Sequence, residues 1–321
     1  MKQLLLIFLI LSVVSVLILV FGPRPEISSP VNFEALLIGS DVEDYLDSTE
    51  SRVKQLDPTA RKEIIWANPE KRDQTDLSLV YLHGFAGSKA ELRPLPDNLA
   101  DIFGANLFFS RLKGHGRNIE AMTEATMLDW MRDLAEAITI GERLGKRVVI
   151  MATTLGAALA TYGMSDQHLA RNIAAIVLVS PAFAVRGTSI GLLNMPWGEK
   201  ILPIVMGDKS SFAQTPNLSG TTSSNRYPTK AIFPMGAVMK AISTIDVSEI
   251  STPALFIVSP NDKVIAVREA RNVFREWGGP KKLIEISSPI KQQHLLTIGS
   301  GNRGKADQIN DQVARWIATI K

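Results

Sequence analysis

The sequence contains no cysteine among its 321 residues. Disulfide bonds, thiolate catalysis and metal sites built on cysteine are therefore excluded. The absence does not assign a redox compartment, because proteins without cysteine occur on both sides of a membrane.

Neither sign of charge dominates the chain. The 35 Lys and Arg residues against 32 Asp and Glu residues leave a formal net charge of +3, and there is no basic run. A nucleic-acid partner is therefore not expected. Charged residues at 21% and aromatic residues at 7% are ordinary for a globular enzyme, and the length suffices for one large domain and a membrane segment.

The only long apolar run lies at the N terminus, Leu4–Phe21, and it carries no charge. As a helix it would be about 27 Å long, close to the hydrocarbon thickness of a bilayer. The run exceeds a signal-peptide core, and no small-residue cleavage pattern follows it. Residues 1–22 are therefore predicted to form an uncleaved membrane anchor; a cleaved signal and a soluble core helix are the alternatives. Lys2 and the α-amino group before the run, against Arg24 after it, favour a domain on the outer side, which is the periplasm in a bacterium.

Residues 23–32 are rich in proline and serine and are predicted to be a linker, followed by one domain over residues 33–321. Several apolar runs in that domain are continuous, which is typical of strands buried on both faces of a parallel sheet. The predicted strands are Glu63–Ala67, Leu77–Leu82, Asn106–Ser110, Arg147–Ala152, Ala174–Val179, Ala254–Val258 and Leu283–Ile286. The predicted helices are Met127–Leu144, Leu155–Met164, Val267–Trp277 and Ala306–Ile320. This alternation predicts an α/β fold with a mainly parallel central sheet flanked by helices.

One segment, residues 184–249, is far longer than a crossover between two strands requires. It carries apolar clusters around Trp197 and Phe233, separated by the polar stretch Thr215–Asn225. A flexible insertion would be mostly polar, so the segment is predicted to be a cap over the active-site end of the sheet.

Two glycine-containing loops follow predicted strands. The first is HGFAGS, residues 83–88, whose glycines allow a sharp turn with backbone N–H groups free to face an oxyanion. In hydrolases built on such sheets this turn usually contributes an oxyanion donor from the residue after His-Gly, which assigns Phe85. An ordinary glycine-rich turn through His83 and Gly84 is the alternative. The second loop is RLKGHG, residues 111–116, in which His115 is interpreted as a structural histidine bonded to backbone and not as a base.

The segment ATTLG, residues 152–156, lies between a predicted strand and a helix of small residues. A nucleophile elbow has the pattern G-x-S-x-G with the hydroxyl on a sharp turn. Aligned on Gly156, this pattern places Thr154 in the nucleophile position and assigns the Leu155 N–H as second oxyanion donor at a helix N terminus. The elbow residue needs a positive φ, which is strained for a β-branched side chain. A decayed site, in which Thr154 only packs, is the alternative.

The order of the chain supplies two further members of a catalytic triad. Asp262 follows the strand ALFIV, and His294 follows the next strand. Among the four histidines, His294 alone comes after both the nucleophile position and the acid. Asp262 would hold the imidazole in one tautomer, and His294 would act as general base and acid. An Asp that only caps the following helix is the alternative for Asp262.

These residues resemble the α/β-hydrolase superfamily, specifically the carboxylesterase and monoacylglycerol-lipase-like group, over residues 60–320. The resemblance implies an esterase or lipase-like enzyme that cleaves small-molecule acyl esters through an acyl-enzyme, without cofactor or metal. The chain departs from the family pattern at Ala152 and Thr154, where glycine and serine are expected. The competing hypothesis is a membrane-anchored, non-catalytic protein that holds a ligand in an apolar pocket beneath the predicted cap.

Overall fold

The computed structural model of the protein describes residues 2–210, 227–287, 294 and 303–320. Within these ranges the strands are β1 (Glu63–Ile65), β2 (Thr75–Leu82), β3 (Asn106–Phe109), β4 (Gly145–Thr153), β5 (Ile173–Val179), β6 (Lys209–Ser210), β7 (Tyr227–Pro228), β8 (Ala254–Val258) and β9 (Lys281–Glu285). The helices are α1 (Lys2–Val20), α2 (Val42–Glu50), α3 (Leu95–Phe103), α4 (Met127–Leu144), α5 (Thr154–Gly163), α6 (Gln167–Ala170), α7 (Ile190–Leu193), α8 (Gly198–Met206), α9 (Ile232–Ile242), α10 (Val267–Glu276) and α11 (Arg303–Ile317).

A sheet with the strand order β1-β3-β2-β4-β5-β8-β9 forms the centre of the domain. All neighbouring strands in it are parallel except β1 and β3, which are antiparallel. Every predicted strand is found, with each end within two residues of its predicted position. The predicted α/β fold with a mainly parallel sheet is therefore confirmed.

The sheet is covered on both faces, which explains why its central strands are apolar without interruption. In β2, Val80 and Leu82 belong to the core on the side of α4 and α5, whereas Leu79 and Tyr81 belong to the core on the side of α3 and α11. Side chains of a strand alternate between faces, so both sets are removed from water together. Each fully buried aliphatic side chain contributes about 1.5–3 kcal/mol to folding.

Helices α2 and α3 lie outside the predicted helical stretches. Each has nine residues, too few to display a clear helical period in the sequence. Capping defines them instead: the Asp41 carboxylate accepts hydrogen bonds from two N–H groups of the first turn of α2, at 2.7 and 3.2 Å. Helix α3 carries Pro96 in its first turn and ends at Gly104, which has a φ of 55°.

The uncharged N-terminal run forms α1, and most of its described side chains are exposed. The last turn of α1 lies against Trp197, whose Nε1–H donates to the carbonyl oxygen of Ile18 at 2.8 Å. Gly22 packs so closely on that indole that a Cβ there would lie 2.1 Å from Nε1. In the part of the chain that the structure describes, no helix is long and apolar enough to cross a membrane, so the predicted transmembrane span is not found.

The segment predicted as a cap contains α7, α8, the two-stranded ribbon of β6 and β7, and α9. Helix α9 is almost entirely buried and packs against α5. Ile204 and Val205 at the end of α8 are exposed instead, although they belong to the apolar clusters from which the cap was predicted. Residues 211–226, which include Thr215–Asn225, lie outside the described residues. The role of the segment as a cap stays a prediction.

A buried ion pair fixes the segment before the sheet onto the domain. Arg111 donates from Nε and Nη2 to the two carboxylate oxygens of Glu50, at 3.1 and 2.6 Å, and both side chains are almost fully buried. The backbone N–H of Lys62 donates to the same carboxylate at 3.0 Å. Burial alone would raise the pKa of Glu50, but the hydrogen bonds and charge of Arg111, together with Lys62, lower it overall. The bidentate geometry is the strong form of such a pair.

Arg111→Met is expected to lower the free energy of unfolding by about 3–5 kcal/mol near neutral pH, because it leaves the Glu50 carboxylate buried without its cation. A lowered carboxyl pKa stabilises the folded state above the unfolded pKa, and this stabilisation is lost as the pH falls through the folded pKa. The difference between wild type and variant should therefore shrink on acidification. Urea denaturation at several pH values measures it.

Arg61→Met is the matched control, because the Arg61–Asp47 pair is exposed, with side chains 40% and 82% accessible. Its loss should cost less than about 1 kcal/mol. Equal losses in the two variants would show that burial of the Arg111–Glu50 pair is not what makes it stabilising.

Candidate active site

The elbow segment has the backbone that the pattern predicts. Thr154 follows β4 directly, begins α5 and has a φ of 44°. Such strain costs about 1–3 kcal/mol in general and is unusual for a β-branched residue. Gly156 lies against the end of β2, where a Cβ would be 2.6 Å from the carbonyl oxygens of both Leu82 and His83. Only glycine allows this approach, and the approach is what brings the elbow beside the loop after β2.

The loop after β2 is in direct contact with Thr154. A Cβ on Gly84 would lie 2.0 Å from Thr154 Oγ1, so the hydroxyl occupies the space that a side chain at position 84 would need. Phe85 follows Gly84, and its ring packs at right angles on the Tyr227 ring, 5.0 Å between centroids. The two segments to which the oxyanion donors Phe85 and Leu155 were assigned therefore meet at Thr154.

Two histidines join the loops around this point through backbone hydrogen bonds. The Nε2 of His83 accepts from the N–H of Leu112 at 3.0 Å, and its Nδ1 lies 2.8 Å from the carbonyl oxygen of Gly84. The Nε2 of His115 accepts from the N–H of Ala86 at 3.0 Å, and its Nδ1 lies 3.2 Å from the carbonyl oxygen of Lys113.

The acceptor role of each Nε2 requires a neutral ring with its proton on Nδ1. Burial, with the neighbouring His115, holds the pKa of His83 well below its usual value, and burial lowers the pKa of His115 to about 4. With both nitrogens engaged by backbone groups, neither histidine is free to accept a proton from a substrate. Both hold loops together.

Asp262 and His294 form a buried hydrogen-bonded pair. The Nδ1 of His294 lies 2.9 Å from Asp262 Oδ2, and both side chains are almost fully buried. Oδ1 of Asp262 accepts from the N–H groups of Val264 and Ile265, at 2.7 and 3.1 Å. Because a carboxylate only accepts, Nδ1 carries the proton and Nε2 is left as an acceptor. The residues on either side of His294, including Gln292, Gln293 and Leu295, lie outside the described residues.

Ser180 is a site residue that the motifs do not reveal. It follows β5, has a φ of 45°, and its hydroxyl donates to the carbonyl oxygen of His294 at 2.7 Å. The bond connects the backbone of His294 to the end of β5, although the two residues are 114 positions apart. The signal available in the sequence is a serine directly after a buried strand, where polar groups of a parallel sheet gather at the carboxyl edge.

A second unpredicted feature is the carboxylate of Glu91, buried beneath the loop after β2 and hydrogen-bonded to Gly84 and Thr153. A charged residue in the polar segment SKAELR gives no sign of burial in the sequence. Among the residues that the structure describes, no group of three or more His, Asp and Glu side chains is arranged to hold a metal ion.

Three solved structures of similar fold are described as lipolytic enzymes or monoglyceride lipases. A structure of the metagenome-derived lipolytic enzymes LipS and LipT has 19% identity and a TM-score of 0.64, covering 82% of this chain and 99% of that one. The monoacylglycerol lipase of Paleococcus ferrophilus has 15% identity and a TM-score of 0.60, covering 81% and 98%. A soluble variant of the Saccharomyces cerevisiae monoglyceride lipase has 11% identity and a TM-score of 0.56, covering 81% and 91%. At these identities the likeness shows the fold alone.

No curated protein matches the sequence. A family model described as serine aminopeptidase, S33, matches residues 73–288, from the start of β2 to beyond β9. The match spans most of the chain and contains Thr154 and Asp262, whereas His294 follows it. The chain therefore belongs to the serine aminopeptidase S33 family and is an α/β-fold hydrolase.

Proposed function

We propose that this hydrolase cleaves carboxylic esters, including lipid-like acyl esters, with Thr154 as nucleophile, His294 as base and Asp262 as the residue that orients it. The observation that carries the proposal is the buried Asp262–His294 pair, which leaves Nε2 of His294 as an acceptor. Its members follow the acid and base order of hydrolase triads, after strands β8 and β9, and β5 lies between β8 and the elbow strand β4. The third member of the proposed triad is Thr154, which has a left-handed backbone conformation and lies against Gly84.

The reaction proceeds in two halves. Nε2 of His294 accepts the proton of the Thr154 hydroxyl while Oγ1 attacks the ester carbonyl carbon. The N–H groups of Phe85 and Leu155 donate to the oxyanion, and the imidazolium is stabilised by Asp262. The C–O bond to the alcohol breaks as His294 returns the proton to it. Water then attacks the acyl-threonine with the same proton transfers, releasing the acid and the free hydroxyl.

An ester, not an amide, is proposed as the substrate because the structural neighbours are described as lipolytic enzymes and monoacylglycerol lipases. The family model is described as a serine aminopeptidase, so the two bond types need direct comparison. Nitrophenyl esters of short and long acyl chains and aminoacyl nitroanilides should be assayed on the same preparation. Turnover of the esters without turnover of the anilides is expected. Release of nitroaniline with the esters untouched would contradict the ester assignment.

The sequence also predicts a domain on the outer side of a membrane, and this location stays a prediction. It depends on the basic groups that flank the N-terminal run. Fractionation of expressing cells, with protease added to bacterial spheroplasts whose outer membrane has been opened, tests it. Digestion only after the spheroplasts are lysed would contradict an outer location.

A further inference from the structure

Glu91 is a buried carboxylate that the proposed triad does not use. It lies in the short turn Lys89–Glu91 after the Gly84 loop and is 4% exposed. Burial raises its pKa, against the opposing effects of hydrogen bonds from Gly84, Thr153 and Tyr81 and of the charge of His294. Burying a carboxylate without a cation is costly unless hydrogen bonds compensate. A group retained under these conditions next to an active site is a candidate for a role in the reaction.

One oxygen of Glu91 accepts the hydrogen bonds that compensate for burial of the carboxylate. Oε2 accepts from the backbone N–H of Gly84 at 2.6 Å and from the hydroxyl of Thr153 at 2.7 Å. The Tyr81 hydroxyl lies 3.2 Å from the same oxygen and 3.1 Å from Thr153 Oγ1. Gly84 and Thr153 both donate to Oε2, so this oxygen is an acceptor and carries no proton.

The two main donors come from the two segments that carry the proposed oxyanion donors. Gly84 directly precedes Phe85, and Thr153 directly precedes the Thr154–Leu155 peptide. A single atom of Glu91 therefore links the loop after β2 to the elbow. Displacement of either segment would change the distance between the two N–H groups.

The glycines of the loop fit the carboxylate closely. A Cβ on Gly84 would lie 2.8 Å from Glu91 Oε1, and a Cβ on Gly87 would lie 2.7 Å from Oε2. Both contacts are too short for a real side chain. The loop is thus shaped around Glu91 as well as around Thr154.

We propose that Glu91 is a positioning residue that sets the geometry of the oxyanion hole by holding Gly84 and Thr153 on one carboxylate oxygen. This role depends on the proposed function. Glu91 acts through the backbone of its neighbours and does not contact the substrate. Because the oxyanion exists only in the transition state and intermediates, loss of this link lowers kcat and leaves KM nearly unchanged.

The test compares Glu91→Met, which removes the acceptor at similar length, with Glu91→Gln, which keeps an acceptor oxygen. Removing an oxyanion donor lowers kcat by about 10²–10³, so a donor displaced by Glu91→Met should lower it by about 10–100-fold. Glu91→Gln should recover most of the loss. Glu136→Met is the matched control, because Glu136 is also a buried carboxylate, bonded to Lys62 and Tyr45 and not to the site. It should lower the melting temperature and leave kcat unchanged.

The outcomes separate this role from the proposed function. A wild type without ester turnover refutes the proposed function and this role with it. If the wild type is active and Glu91→Met has the same kcat, this role alone is refuted. It is also refuted if the kcat of Glu91→Gln is no higher than that of Glu91→Met. If Glu91→Met does not fold, Thr153→Val removes one of the same hydrogen bonds at constant shape. The Thr153→Val variant should then have a lower kcat and an unchanged KM. An unaltered kcat would overturn the role of Glu91.

Discussion

Thr154→Ala is expected to abolish ester turnover, whereas Thr154→Ser is expected to keep or raise it. Removing the nucleophile of a hydrolase triad lowers kcat by about 10⁶. Serine retains the hydroxyl but lacks the methyl group of a residue held at a φ of 44°. Relief of part of the strain, generally about 1–3 kcal/mol, should also raise the melting temperature of the Ser variant. Steady-state assays with one ester, together with thermal unfolding of the three proteins, measure both effects.

Alanine keeps the Cβ of Thr154 and adds no atoms to the site. Thermal unfolding, measured on all three proteins, shows whether the alanine variant is folded. Equal residual turnover in wild type and Thr154→Ala would show that another group carries the reaction. A Ser variant less active than wild type would show that the site is adapted to threonine in a way that the strain does not explain.

Asp262→Asn is expected to lower kcat by about 10⁴, the loss found when a triad aspartate is replaced by its amide. The reason lies in how Asp262 is held. Its Oδ1 accepts two backbone N–H groups, so the asparagine must place its carbonyl oxygen there and turn its NH₂ group toward His294. Nδ1 would then become the acceptor and the proton would move to Nε2. In that tautomer Nε2 cannot accept the Thr154 proton.

Asp246→Asn is the matched control for this substitution. Asp246 also caps a short turn, accepting from the Ser248 N–H at 2.9 Å, but it is exposed and precedes β8, whereas Asp262 follows the opposite end of that strand. The kcat of the Asp246→Asn variant should equal that of the wild type. An Asp262→Asn variant with kcat near wild type would contradict the role of Asp262, even if its stability were reduced.

The fold follows from local features that the sequence displays directly. Continuous apolar runs such as ALFIV predict strands buried on both faces, and β8 has the predicted bounds. The small residues after Thr154 predict the close approach that Gly156 makes to Leu82 and His83. Helix α4 likewise has its predicted bounds, because 18 residues show a full amphipathic period.

The features that the sequence did not predict depend on distant contacts. Glu50 and Arg111 are paired across 61 positions, and Ser180 reaches His294 across 114. Glu91 stands in a polar stretch typical of the surface, yet the fold encloses it. The burial of a charged side chain depends on which segments meet around it, and no local pattern encodes that. Hydropathy alone predicted a transmembrane span, which was not found among the described residues.

The measurement that tests the central claim most directly is covalent labelling by a fluorophosphonate, with the modified residue located by mass spectrometry. The probe phosphonylates only a hydroxyl activated by a neighbouring base. Label on Thr154 in the wild type, on the introduced serine in the Thr154→Ser variant and on no residue in Thr154→Ala is expected. A wild type that binds acyl ligands tightly but takes up no label would contradict the claim and favour a non-catalytic ligand-binding protein.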